Sequence, residues 1–394
     1  MKNRVPLPPE LEATKAAARR AIGAIRPAQV STSDQATLYT AGRTAAGHAL
    51  PPYYLVYFLL LELLEFPFWG RFEKVAWSVP IEFDGDLFSI EHRKLGLGVF
   101  APNPSSKEEQ AKEIVKLVGK GVRTAAPFFA WLAERAVQES KLNVVNRSDS
   151  LFGRFEYLLG LYKRTTTEAE ERTDERHTET QETPYGTMTT TSYPAWELRQ
   201  NAEWLALAAI EAFFSWTEHV FIHIAILSGN ITTGSEVATL AESGWDAKFK
   251  SALDVQEPKT KAFFDKLISI RRQLRNFAAH GSFGKEGEAF SFHSGAGAVP
   301  VRLAHQTGHP RFSLSGERAF SEAEAIETIE RFIAHLWSGP REPAFLYIQK
   351  SGLPIILTDA ADGTYRSAMQ SVEDMQAFLE VLVYKFDQAA NMDW

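Results

Sequence analysis

Apolar positions recur at two different periods along the chain, and the switches between them predict its elements. Residues 9–26 read as a helix rich in alanine, arginine and lysine. Pro51-Pro52 opens an apolar helix that runs to about Glu65, since proline suits a first turn. From Lys74 to Phe100 the period shortens to two. Val75 to Phe83 leads into Asp84-Gly85, and Leu87 to His92 follows, which predicts a β-hairpin with Leu97 to Phe100 as a third strand. Helical spacing returns from Lys107 to Glu139, interrupted near Pro127, and again from Ser150 to Lys163.

Neither period holds between Thr165 and Thr191. This stretch is crowded with threonine and glutamate and has almost no large apolar residue. It reads as an exposed linker or as a polar hairpin turning at Pro184-Tyr185-Gly186, and a domain boundary is placed there. Beyond it, Ala195 to Ser228 is a long apolar helix that Gly229-Asn230 stops. A second helix spans Thr260 to His280, with Phe263, Leu267, Ile270, Leu274 and Phe277 on one stripe and Gly281 at its end. Glu286 to His293 reads as a short strand, Ser321 to Leu336 as a helix, Phe345 to Leu357 as two short strands, and Val372 to Gln388 as a final helix.

These elements predict an α+β fold, mostly helical. An N-terminal α+β domain (residues 1–164) holds helices and a small antiparallel sheet, and is read as sensing or regulatory. Residues 165–194 form the linker or hairpin, and residues 195–394 a helical bundle with short strand insertions and a C-terminal extension.

Composition narrows the chemistry. With no cysteine, disulfides, thiolate metal sites and cysteine nucleophiles are excluded, which fits a reducing cytoplasm. A formal net charge of −7 argues against a broad nonspecific nucleic-acid footprint but leaves room for a local basic site. Met1 to Arg20 has no apolar core of signal-peptide length. The apolar run Leu205 to Leu227 contains Glu211, Glu218, His219 and His223, so it reads as a buried helix and no membrane partner is expected.

The helix ending in Arg272-Gln-Leu-Arg-Asn-Phe-Ala-Ala-His-Gly281 carries the clearest chemistry. Arg275 precedes His280 by five residues, with Asn276 between them. A histidine titrates near neutral pH and can take the proton from a ribose 2′-OH or give one to the leaving 5′ oxygen. An arginine stays charged and grips the phosphate with a planar fork. Together they can cleave RNA without a metal. Residues five apart on a helix lie about 140° from each other, so two copies meeting at a two-fold axis make a better cleft than one. Arg271, Arg272, Lys261 and Lys266 add local positive charge.

The spacing alone is not specific. Among ten histidines, His48 after Arg43 and His177 after Arg172 repeat it. Only the third copy combines an apolar helical stripe with Asn276 and Gly281.

Arg275-Asn-Phe-Ala-Ala-His280-Gly281, after a long helix with Glu211 and Glu218, resembles the HEPN superfamily over roughly residues 195–340. The resemblance implies a dimerising helical bundle whose R-x(4–6)-H motif forms a composite ribonuclease site. It assigns Arg275, Asn276 and His280 as catalytic, and Glu211 or Glu218 as the acidic residue of an earlier helix. Arg271, Arg272, Glu211 and Glu218 are expected on the substrate side. The implied function is a metal-independent endoribonuclease needing no cofactor, acting on RNA as a homodimer. It fits a toxin or antiviral defence effector with an antitoxin or regulatory partner. The alternative is a noncatalytic RNA- or nucleotide-binding module. The strand-like Glu286 to His293 departs from a pure bundle.

Two weaker signals remain. His219 and His223 have the spacing of a zinc pair, but Glu218 precedes the first histidine and no third ligand is evident, so core-edge histidines are expected. His92-Arg93-Lys94 reads as a solvated strand end, with contact to phosphate or another ligand as the rival.

Overall fold

A computed structural model describes residues 7–29, 31, 37–280, 290–295, 297–301 and 321–392, and within these no side chain at positions 275–280, 290–292 or 298–301. The fold is α+β and mostly helical, with one small antiparallel sheet of five strands. The chain divides into two compact units, Met1–Glu139 with Glu380–Trp394, and Ser140–Leu379.

The first unit is built on the sheet. Its strands are β1 (Arg26–Pro27), β2 (Gly42–Arg43), β3 (Val75–Phe83), β4 (Asp86–Arg93) and β5 (Gly96–Ala101), in the order β1-β3-β4-β5-β2. The β3–β4 turn needs two residues at positive φ, and Asp84 (51°) and Gly85 (81°) supply them, as a tight hairpin demands. Alternation then sends Trp77, Val79, Ile81, Phe88, Ile90 and Val99 to one face. That face packs on α1 (Pro9–Ala21), α2 (Tyr53–Tyr57, continued by a wider π turn over Phe58–Leu63) and α3 (Glu108–Thr124). Ala125 separates α3 from α4 (Ala126–Gln138), which bears Pro127 in its first turn, so the expected interruption is present. The opposite sheet face carries Ser78, Ser89 and Glu91, all buried.

The second unit opens with the two-residue strand β6 (Asn143–Val144) and α5 (Ser148–Glu171). A ribbon of β7 (His177–Thr183) and β8 (Gly186–Ser192) leads into α6 (Pro194–Leu227). The threonine-rich stretch is therefore the polar hairpin rather than a linker, and nearly every ribbon residue is exposed. It is no domain boundary. α5 runs back along α6, with Trp216 Nε1 donating to Ser148 Oγ at 2.9 Å near one end and Arg199 Nη2 to Thr173 Oγ1 at 3.0 Å near the other. The division falls between Glu139 and Ser140 instead, because α5 and α6 bury their apolar stripes on each other.

α6 ends in a Schellman arrangement. Gly229 takes φ 74°, its N–H bonds to the Ile226 carbonyl, and the Asn230 N–H bonds to the Ala225 carbonyl. By length and composition α6 is the one described helix able to cross a membrane, yet 56% of its most apolar window is buried inside the protein. Around its C-terminal half pack α7 (Gly234–Glu242), α8 (Trp245–Ala252), α9 (Pro258–His280) and α10 (Glu322–Leu336). Their core is aromatic: Phe213, Phe221, Trp245, Phe249 and Phe332 meet at ring separations of 5.2–6.3 Å. The α9 stripe is confirmed at Leu267, Ile270 and Leu274, all buried. The side chain of Phe277, and Gly281 as the helix stop, lie outside the described residues.

Two further expectations meet the structure differently. The strand expected at Glu286 to His293 is present as β9 (Phe290–Ser294), paired with β10 (Gly297–Val301), while residues 286–289 lie outside the described residues. The two strands expected from Phe345 to Leu357 are instead α11 (Glu342–Phe345), a π turn over Leu346–Ser351, and only then β11 (Ile355–Ile356), which pairs with β6. Pro343 in the first turn favours a helix start, burial of Tyr347 and Ile348 holds the turn inward, and Gly352 at φ 63° ends it. Short helices α12 (Leu357–Ala361) and α13 (Thr364–Ala368) precede α14 (Val372–Asn391), which the division between the units crosses.

Candidate functional site

Packing of α9 on α6 selects one of the two candidate acids. Glu218 faces α9 and α8, and its Oε1 accepts from Arg271 Nη2 at 2.9 Å. Its Oε2 accepts from Lys248 Nζ at 3.0 Å. The Lys248 side chain is only 7% exposed, against 33% for Glu218 and 41% for Arg271. One carboxylate thus holds a buried cation and a half-exposed one. Glu211, seven residues earlier on α6, is exposed and makes none of the described ion pairs. Among the described residues, Glu218 is the one of the two acids bonded to the helix carrying the motif.

On α9 the residues run in order. Arg272 is exposed, and Lys261 is taken up by Asp265 at 2.7 Å. Positions 275 and 276 follow Arg271 and Arg272 by one helical turn each, and α9 stays helical through position 280. The side chains of Arg275, Asn276 and His280 lie outside the described residues. Arg271, one helical turn before position 275, is held by Glu218, while Arg272 beside it stays exposed.

The two other copies of the Arg–His spacing have clear structural roles. Arg43 donates Nη1 to the Leu95 carbonyl at 3.2 Å and Nη2 to the Leu97 carbonyl, which clamps the β4–β5 turn. Arg172 bonds Glu168 and Glu175, and His177 Nε2 meets the same Glu175 at 2.6 Å. These contacts hold the Glu175 carboxyl down at about 2. Both arginines are spent on local architecture, which sequence spacing did not show.

His219 and His223 form a packed pair at the edge of the core, each bonded to backbone. Their rings lie 4.2 Å apart, His219 Nε2 accepts the Arg147 N–H at 2.9 Å, and His223 Nδ1 bonds the His219 carbonyl at 2.9 Å. Burial, then the charges of His223 and Arg147, pushes His219 down to about 3. Burial also pushes His223 down to about 4, against the bonds to the His219 and Val145 backbones. Both are neutral at physiological pH and serve as packing and hydrogen-bonding groups. Among the described residues no group of three or more histidine, aspartate or glutamate side chains is arranged to hold a metal.

The residues missed by sequence reasoning are Lys248 and Arg147. Lys248 sits on α8, a short helix that the sequence pattern did not mark. The signal for it exists only once α8 is folded against α6. No protein-family model, curated protein or solved structure matches the chain.

Proposed function

We propose that the chain is a metal-independent endoribonuclease whose site is centred on Arg275, Asn276 and His280. The observation that carries the reading is the Glu218–Arg271 ion pair, which ties the acid-bearing helix α6 to α9 one turn before the motif. The three residues that a phosphodiester cleavage needs lie within two turns at the end of that same helix. Arg275 binds the phosphate and stabilises its developing charge. His280 exchanges the proton of the 2′-OH or of the leaving oxygen. Asn276, four residues before His280 and on the same helical face, orients the histidine or the phosphate. Exposed Arg272 lies on the approach of the RNA backbone. A second copy of the chain completes the cleft, because one straight helix separates positions 275 and 280 by about 140°. Such an enzyme fits a toxin or antiviral defence role in the cytoplasm.

Purified full-length protein incubated with RNA in EDTA tests this. The expected products carry a 2′,3′-cyclic phosphate and a 5′-hydroxyl, and His280→Ala and Arg275→Ala abolish them. Full cleavage by His280→Ala sinks the assignment. Retention of RNA without cleavage by the native protein moves it to the binding alternative.

A further inference from the structure

A polar, aromatic-walled cavity of about 160 Å³ lies within the first unit, beside the sheet face that the core does not use. Tyr39, Trp69 and Phe72 form its walls, and Ser78, Glu91 and Arg93 line its polar side. The backbone of Trp69 is bridged to that of Ser78, with N···O distances of 2.8 and 3.3 Å, which fixes one wall to β3.

The polar side is organised around one buried carboxylate. Glu91 Oε1 accepts from Ser78 Oγ at 3.0 Å and Ser89 Oγ at 2.7 Å, and its Oε2 accepts from Arg93 Nε at 2.7 Å. Every charge on Glu91 is therefore answered from the protein. Arg93 is not used up. Its guanidinium carbon sits 3.9 Å from the centre of the Phe100 ring, and its Nε is bound, so its plane is set from two sides. Both terminal nitrogens of Arg93 remain without a hydrogen bond among the described residues. A half-buried guanidinium held in one orientation with a free edge is the geometry that receives a carboxylate.

From this geometry we infer that the cavity binds a small monocyclic aromatic carboxylate, its ring among Tyr39, Trp69 and Phe72 and its anion on the free edge of Arg93. The size agrees, since an apolar cavity of about 150 Å³ accepts benzene. The remaining charged lining residue, Glu73, is exposed, so water screens its repulsion of an anion far more than it screens Arg93. Binding in this unit is independent of the ribonuclease reading and stands or falls separately from it.

Titration calorimetry of the full chain with benzoate tests the inference, with benzyl alcohol and benzylamine as matched neutral and cationic probes. The expected result is one saturable benzoate site, with each of the other two weaker by about ten-fold or more. Arg93→Lys keeps the positive partner for Glu91 but loses the planar fork, and lowers benzoate affinity by about ten-fold or more. Trp69→Leu lowers it as well. The probe series on the native chain decides the question even where a variant folds poorly. Absence of a saturable benzoate site, equal or tighter binding of benzylamine or benzyl alcohol, or unchanged affinity in a folded Arg93→Lys overturns the inference.

Discussion

Glu218 on α6 and Arg271 on α9 form an ion pair with an Oε1–Nη2 distance of 2.9 Å, and Lys248 on α8 fills the other carboxylate oxygen at 3.0 Å. Three helices are thus joined at one side chain. Glu218→Gln preserves the shape and removes the charge. The nearly buried Lys248 ammonium is then left with a neutral partner, so the expected loss is about 1–3 kcal/mol in urea denaturation. The Arg271 half of the pair is more exposed, and a double-mutant cycle of Glu218→Gln with Arg271→Ala should return a coupling of only about 0.5 kcal/mol. On the proposed function, Glu218→Gln also lowers RNA cleavage. Glu211→Gln, at an exposed position, changes stability by no more than about 0.5 kcal/mol and leaves cleavage intact. Equal effects of the two substitutions would contradict the assignment of Glu218.

Stability should fall as the solution is acidified, well before most carboxylates titrate. His223 is fully buried and held down to about 4, while an unfolded histidine titrates near 6.5. Above pH 6.5 it is neutral in both states and contributes no slope. Between 6.5 and 4 the unfolded chain takes up a proton that the folded one refuses, so stability drops as pH falls and levels off below 4. From pH 6.5 to 5 the loss is about 2 kcal/mol at 1.36 kcal/mol per unit. His219, pushed down to about 3, acts in the same direction, and because its shift depends partly on His223 the two do not simply add. Urea denaturation at pH 7 and pH 5 measures the slope. His223→Phe should flatten it, and an unchanged slope in that variant counts against the assignment.

Local chemistry was legible in the sequence wherever one residue type has one conformational use. Asp84-Gly85 marked the β3–β4 turn because both positions need positive φ, and Gly229 marked the end of α6 for the same reason. The α9 stripe was legible because its burial is one-sided. Tertiary choices were not. Glu211 and Glu218 are equivalent on a helical wheel, and only Lys248 and Arg271, brought in from α8 and α9, separate them. The boundary at Glu139–Ser140 lies in an ordinary polar stretch, whereas the far stronger compositional break at the threonine-rich ribbon turned out to be an arm between two packed helices. From Phe345 to Ser351, burial against the interior overrode the β-like residue content.

Gly47 is expected to tolerate no side chain. It lies in the tight turn after β2, where the Thr44 N–H and Oγ1 both bond the Val99 carbonyl. A Cβ at Gly47 would stand 2.4 Å from the Val99 backbone nitrogen, an atom held within the sheet. Gly47→Ala must therefore push the turn off β5, at about 2–3 kcal/mol by thermal or urea denaturation. Gly121 is the informative comparison. A Cβ there meets Ile22 Cγ2 at 2.6 Å and Leu59 Cδ2 at 2.9 Å. These are side-chain rather than backbone atoms, so the buried pair must shift but the sheet need not, and alanine regains about 1 kcal/mol of helix propensity in α3. Gly121→Ala should cost clearly less than Gly47→Ala.

The three copies of the Arg–His spacing make opposite predictions for one assay. Arg172 and His177 both bind Glu175, at the end of α5 and the start of the ribbon. The ions there are largely exposed and screened by water, so Arg172→Ala and His177→Ala should each leave the denaturation midpoint nearly unchanged. RNA cleavage should stay at the native level in both. Arg43→Ala removes a clamp on the Leu95 and Leu97 carbonyls and should lower the melting temperature without altering cleavage by the folded fraction. Arg275→Ala and His280→Ala should do the reverse, abolishing cleavage while the far-ultraviolet dichroism of the chain is retained. Comparing cleavage per folded molecule across the five variants separates the motif from its two look-alikes. Loss of cleavage in a well-folded His177→Ala would move the active site to the ribbon and away from α9.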